Sequence, residues 1–282
     1  MSIPPKDRDI LRALGAEKAS IGHEPDQEAR RARWRRLNRL EPERPLVWIN
    51  EIPWHEMNVD DELTLACEDD FCRGVESGLR RELYQWRHLP GDMVVDPVIY
   101  SGPVFSDSGY GLAVDAERTS FERGAAQYKP VIQSEADVEK IQLPTITPDW
   151  EETEVRFETL SEIFAGVIPV EKRGLLTMWC APWDVLVQWY GIEKLYMDMI
   201  DQPALVHRAS ARMTEALLHR LDQLEACGLL GASNGNHRVG SGGLGITDEL
   251  PPDDFDPEHV RPKDLWGTST GQIFSEVSPD MH

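Results

Sequence analysis

The stretch that decides the fold is residues 174–191, GLLTMWCAPWDVLVQWYG, whose two ends differ in hydrophobic period. Leu175, Leu176, Met178 and Trp179 form a short, near-continuous apolar run, the pattern of a parallel strand covered on both faces. Ala181-Pro182 stops it, because proline has no N–H for a ladder and holds φ near the helical value, which suits a first helical turn. Beyond it Val185, Leu186, Trp189 and Tyr190 recur at helical spacing. A strand feeding a helix across one tight turn is a βα unit, and in α/β folds such turns carry the chemistry.

Upstream, the spacing predicts further units of the same kind. Residues 46–50 (LVWIN) read as a first strand between Pro45 and Pro53, with Glu51, Trp54 and His55 at its carboxyl end. Asp60 or Asp61 caps a helix whose Leu63, Cys67, Phe71, Val75, Leu79 and Leu83 step by four, ending near His88, Pro90 and Gly91. Residues 93–100 (MVVDPVIY) read as a second strand, interrupted by Asp96-Pro97; a carboxylate inside an apolar run marks a strand end, a bulge or a site. Residues 113–144 read as short irregular pieces with a helix seeded by Ser134, and residues 149–164 as an acidic amphipathic helix. Before all of this, residues 1–42 form a helical extension to a domain spanning 43–282. Its EARRARWRRLNRL segment sets six arginines round an amphipathic pattern, read as a surface helix paired with local acids.

Downstream, residues 192–200 continue the helical pattern, Pro203 opens a long helix and Gly228 closes it. Leu229-Leu230 starts a fourth strand, followed by a polar, glycine-rich loop of the length that usually serves a function. Residues 271–277 (GQIFSEV) give one more strand, with Glu276 at its end, and Ser278-Pro279-Asp280 begins a helix that has no body before His282.

With 282 residues, 40% hydrophobic and 28% charged, the chain is long enough for a core without metal or disulfide staples. It holds no apolar run of the roughly 20 residues a membrane helix needs and no signal-peptide core, so the expected location is the cytoplasm. Cys67, Cys72, Cys180 and Cys227 lack zinc-ribbon spacing. A formal net charge of −21, from 50 acids against 29 bases, argues against nucleic acid or an anionic membrane as partner.

Taken with VWINEIPWHEMN, NGNHRVGSGG, DELPPDDFDPEHVRPKDLWG and QIFSEVSPDMH, the central unit and its long helix resemble the uroporphyrinogen decarboxylase (URO-D) superfamily, which includes cobalamin-dependent methyltransferases. The resemblance runs from about Arg44 onward and implies an α/β fold, a (β/α)₈ TIM barrel of the URO-D type. Of that barrel the chain supplies about the first five strands, so it is expected to be poorly soluble or to associate with a complementary chain, a homodimer included. The family's decarboxylases place an arginine-rich segment after the first strand to hold substrate carboxylates, whereas this chain has Asn50-Glu51-Ile52-Pro53-Trp54. Like charge there disfavours a porphyrinogen, although Asp96 is compatible with the family's pyrrole-binding aspartate.

The resemblance therefore implies corrinoid-linked methyl transfer on a small methylated substrate or a methyl-corrinoid protein. The alternatives are the decarboxylase itself and a noncatalytic barrel that binds a small molecule or corrinoid. A corrinoid on a partner protein and a zinc ion are the cofactors the resemblance implies, the zinc's His-x-Cys pair and later Cys being expected from the barrel's later strands, beyond His282; a decarboxylase would need neither. Glu51, His55 and His237 are the candidate catalytic residues, as acid/base or O/N ligands. Trp54, Asp96, Trp183, Asn234, Asn236, Arg238 and Glu276 are candidates for substrate binding. Amides and a guanidinium suit an anionic or amide-bearing ligand, but asparagines beside glycines also staple loops. Trp179 and Trp183 wall a pocket or fill the core.

Overall fold

The structure, a computed structural model, describes residues 3–118 and 126–278. Two helices lead, α1 (Pro5–Gly22) and α2 (Asp26–Asn38). The arginines of α2 find acids as the sequence suggests: Arg30 with Asp26 at 2.6 Å, Arg35 with Glu28 at 2.7 Å and Arg31 with Asp96 at 2.8 Å. Its one buried aromatic, Trp34, donates its indole N–H to the Asp92 carbonyl at 2.8 Å.

The strand expected at 46–50 does not form a ladder. Its backbone groups are taken piecemeal, the Val47 N–H by the Asp92 carboxylate at 2.9 Å, the Val47 carbonyl by the Asp92 N–H and the Ile49 carbonyl by the Gln85 amide, so it is an extended arm. The next helix, α3 (Asp70–His88), begins about ten residues later than the apolar stripe suggests. Buried carboxylates explain the delay. Glu76 accepts from the N–H groups of Ala66 and Cys67, and Asp7 from those of Glu68 and Asp69, holding 66–69 out of the helix. Asp69 then caps α3 by accepting from the Cys72 N–H at 3.0 Å.

The second expected strand shrinks to β1 (Ile99–Ser101), because Pro97 has no N–H to pair and the buried residues 93–95 precede it as extended chain. The excursion contains β2 (Val104–Asp107), β3 (Ala116–Arg118), β4 (Ala126–Tyr128) and α4 (Glu135–Val138), which follows Ser134. It returns through β5 (Ile146–Asp149), antiparallel to β2, to α5 (Trp150–Phe164), whose cap Asp149 accepts from the Glu152 N–H at 2.9 Å.

The deciding stretch is longer than the sequence suggests: β6 (Val170–Lys172) and β7 (Thr177–Trp179) lie on one extended run, 170–179. Ala181-Pro182 ends it as expected and opens α6 (Pro182–Tyr190), followed by α7 (Ile192–Asp201) and α8 (Pro203–Ala226), with Gly228 just beyond. A small hairpin, β8 (Arg238–Val239) with β9 (Gly243–Leu244), and β10 (Trp266–Thr268) complete the elements. The run 170–179 pairs in parallel three times: β6 with β1, Leu175 with Leu230 as a single bridge, and β7 with β10. We call it the central stave.

The class is mixed α/β, with β6 and β7 in parallel pairs, but no closed barrel forms among the described residues. Each sheet has two strands. Leu229-Leu230 contributes only its bridge, and the strand expected at 271–277 is a 3₁₀ turn at Gln272–Phe274. Pro279 and Asp280 lie outside the described residues. Nor is β7 covered on both faces: Met178 is buried, whereas Thr177 and Trp179 are exposed. One core packs α6 and α8 around Leu186, Tyr190 and Met213; another packs α1, α3 and α5 around Leu11, Leu79 and Phe164. No helix among the described residues is long and apolar enough to cross a membrane.

Candidate functional site

The open face of the central stave is the place to look, since parallel strands present ligands at their carboxyl ends. There Thr177 and Trp179 of β7, Thr268 of β10, and Arg238 and Gly240 of the β8–β9 hairpin enclose a hollow of about 340 Å³. The hairpin's segment reaches the stave through a close backbone approach. A Cβ on Gly174 would lie 2.5 Å from the Leu230 carbonyl carbon, so the bridge that starts this loop requires glycine.

Arg238 carries the hollow's fixed charge. It meets Glu51 of the extended arm at 2.7 Å and donates to the Gly240 carbonyl at 3.1 Å, which brings two sequence candidates into contact. His237, next to it, is held at both ring nitrogens, Nδ1 3.0 Å from the Gly235 carbonyl and Nε2 2.9 Å from Ser233 Oγ. A carbonyl only accepts, so Nδ1 bears the proton and Nε2 accepts from the serine hydroxyl. Burial lowers the His237 pKa to about 4, against the carbonyl contact and with help from the Arg173 guanidinium. At neutral pH the ring is uncharged and its basic nitrogen is occupied, which suits a positioning group better than a base.

Arg173, just past β6, lies with its guanidinium carbon 3.6 Å from the centre of the Tyr100 ring. Burial holds its pKa below the ordinary guanidinium value, and burial likewise pushes the Tyr100 hydroxyl up to about 12. Tyr100 donates to Asp96 at 3.3 Å, and Asp96 also pairs with Arg31. Asp96, Tyr100, Arg173 and His237 thus form one run of neighbouring groups, ending at the residue before Arg238.

The other candidates lie elsewhere or serve the loop. Asn236 donates to the Val94 carbonyl at 2.9 Å, and the Asn234 carbonyl accepts from the Thr247 N–H at 3.2 Å, both fastening the glycine-rich loop. Trp54 packs edge-on against Tyr84 of α3, 6.1 Å between ring centres, and His55 is exposed beside Glu56 at 3.3 Å. Trp183 is buried in the α6–α8 core, edge-on to Tyr190 and Phe274. Glu276 is exposed beyond a 3₁₀ turn rather than at a strand end.

Sequence reasoning missed Tyr100, Arg173, Thr177, Ser233 and Thr268. For Arg173 a signal existed: a cation heads the apolar run, directly before a glycine. A wider depression of about 710 Å³ along α8 includes His207 and His219, but apart from Leu143 a single helix flank lines it, so no groups converge there.

A zinc–thiolate centre does not fit the described residues. No group of three or more His, Cys, Asp and Glu among them is placed to hold a metal. Burial pushes the Cys67 and Cys72 thiols up to about 12 and raises Cys180, whereas zinc binds thiolates. Comparison with protein-family models, curated proteins and solved structures gives no match to this chain.

Proposed function

We propose that the central stave and its parallel neighbours belong to a (β/α)₈ barrel wall of the URO-D type, and that the chain is an enzyme of corrinoid-linked methyl transfer acting on a small methylated substrate. The observation that carries the reading is the open stave face: Thr177, Trp179 and Thr268 line a hollow toward the carboxyl ends of parallel strands, beside the Arg238–Glu51 pair. A reduced corrinoid presented by a partner protein would supply the nucleophile that accepts the methyl group, and the donor's heteroatom would keep the old bonding pair and take up a proton.

The chain's own groups supply orientation and charge. Arg238 faces the leaving heteroatom and stabilises its developing negative charge, Glu51 holds Arg238 and relays the proton, and the Trp179 ring walls the methyl group. His237 stays neutral and accepts from the Ser233 hydroxyl. No step passes through zinc. A porphyrinogen fits poorly, since the hollow sits at the small end of the ~300–1,000 Å³ range of ligand sites and its arginine is already paired with Glu51.

The test is to incubate the chain with cob(I)alamin and a panel of methylated alcohols, amines, thioethers and methoxylated acids, following the absorbance of methylcobalamin. Methylation that drops in Arg238→Met supports the reading. No methylation by any donor, together with unchanged tryptophan fluorescence on adding the corrinoid, removes it.

A further inference from the structure

In a chain with 50 acids against 29 bases, a guanidinium that meets no carboxylate is an exception. Arg31, Arg44, Arg80, Arg220, Arg238 and Arg261 each pair with Asp or Glu. Arg12, Arg73 and Arg81 do not, but Arg12 donates to the Ile163 and Ala165 carbonyls, Arg73 donates to the Cys67 carbonyl, and Arg81 is exposed over the Trp54 ring. Arg173 is half-buried, and no carboxylate among the described residues reaches it in ion-pair range.

The surroundings explain why it stays unmatched. Asp96, one of the two acids whose charge it feels, is engaged by Arg31 and by the Tyr100 hydroxyl. The Tyr100 ring lies against it and the Tyr100 hydroxyl accepts a hydrogen bond from it, while His237, within reach of its charge, is neutral. A cation taken partly out of water without an anion costs stability, and sites keep such groups when a ligand completes them. Arg173 lies four residues before Thr177 on the same stave, and its charge is felt at His237, the neighbour of Arg238 at the hollow.

We propose that Arg173 binds the carboxylate of a small anionic substrate, through the two-point N–H fork that a guanidinium offers a planar anion. This rests on the same hollow being the substrate site and narrows the substrate to a methylated carboxylic acid. Arg238 then serves the reacting end and Arg173 the anchoring end, and an uncharged or purely cationic methyl donor leaves Arg173 unmet.

The test compares benzoate with benzamide, which share shape and differ in charge, by calorimetric titration of the full chain, with Arg173→Met and Arg173→Lys beside it. The wild type is expected to bind benzoate at least ~10-fold more tightly than benzamide, and Arg173→Met to lose that preference. Arg173→Lys, which keeps charge but not the fork, falls between. Without ligand, Arg173→Met is expected to melt a few degrees higher than wild type, since an unpaired charge is gone, and to gain nothing from benzoate. A purely structural arginine predicts the reverse, a lower melting temperature. Equal binding of benzoate and benzamide by the wild type, which needs no variant to fold, overturns the proposal. A preference for benzoate without methyl transfer upholds it and removes only the methyl-transfer reading.

Discussion

The α1–α3–α5 side of the molecule and the open face of the central stave treat charged groups in opposite ways. On the first, Glu76 and Asp7 are fully buried carboxylates, and each is answered by the chain: Glu76 by two backbone N–H groups and by Arg80 at 2.8 Å, Asp7 by the N–H groups of Glu68 and Asp69. On the second, Arg173 has an aromatic ring but no carboxylate, and Trp179 is 46% exposed. Polar groups the chain satisfies by itself fix its shape, whereas those it leaves over point to something that arrives later.

The largest effect expected from that contrast is at Glu76. Glu76→Ala strands Arg80 and frees the 66–69 segment, and should cost about 3–5 kcal/mol, read as a drop in the urea midpoint at unchanged slope. A loss under 1 kcal/mol would erase the contrast. The same carboxylates set acid behaviour. The Glu76 pKa is lowered because its backbone and Arg80 contacts outweigh burial, and that of Asp92 because of Arg44, the Val47 N–H and Arg33. Their stabilisation is complete above the unfolded carboxylate range and fades as pH falls through the lowered folded values, so urea midpoints should drop steeply below pH ~4.

Two tryptophans of the deciding stretch sharpen the comparison next. Trp183, 8% exposed against Tyr190 and Phe274, should cost about 3–5 kcal/mol when cut to alanine. Trp179→Ala should cost no more than about 1 kcal/mol and instead weaken ligand binding. Equal losses of stability at both would mean that Trp179 packs as core.

His237 comes third. Its folded pKa of about 4 lies below the unfolded value near 6.5, so the unfolded chain binds the proton first as pH falls. Its contribution is whole above pH ~6.5 and lost progressively down to pH ~4, by up to about 3 kcal/mol, and His237→Gln should flatten that part of the stability–pH curve. The smallest effect is at Glu51. Its pair with Arg238 is exposed, so Glu51→Gln should stay within about 1 kcal/mol of wild type in urea while still lowering turnover.

How much of this the sequence reveals depends on whether the signal is local. The βα switch at Pro182, the closure of α8 at Gly228, the seed at Ser134 and the paired arginines of α2 are legible because period, proline chemistry and charge act within one or two turns. The late start of α3 is not, because the carboxylate of Asp7 that holds 68–69 lies some sixty residues upstream. Residues 46–50 have a strand's composition, yet Asp92 and Gln85 take the hydrogen bonds a neighbouring strand would have made. At the site, Glu51, His237 and Arg238 were legible as polar groups at expected strand ends. Arg173 is legible as a cation heading the apolar run but not as an unpaired one, since pairing is a property of the folded surroundings, and Trp183 left the candidate rim because its helix turns it into the core.

The account turns on the hollow of the central stave being where substrate sits. Incorporating 5-fluorotryptophan, assigning the resonances with Trp179→Phe and Trp183→Phe, and titrating with benzoate under ¹⁹F NMR addresses that directly. The account predicts that the Trp179 signal shifts with saturation while Trp183, a few residues away in the core, stays fixed. A saturating benzoate complex in which Trp179 does not move would contradict it.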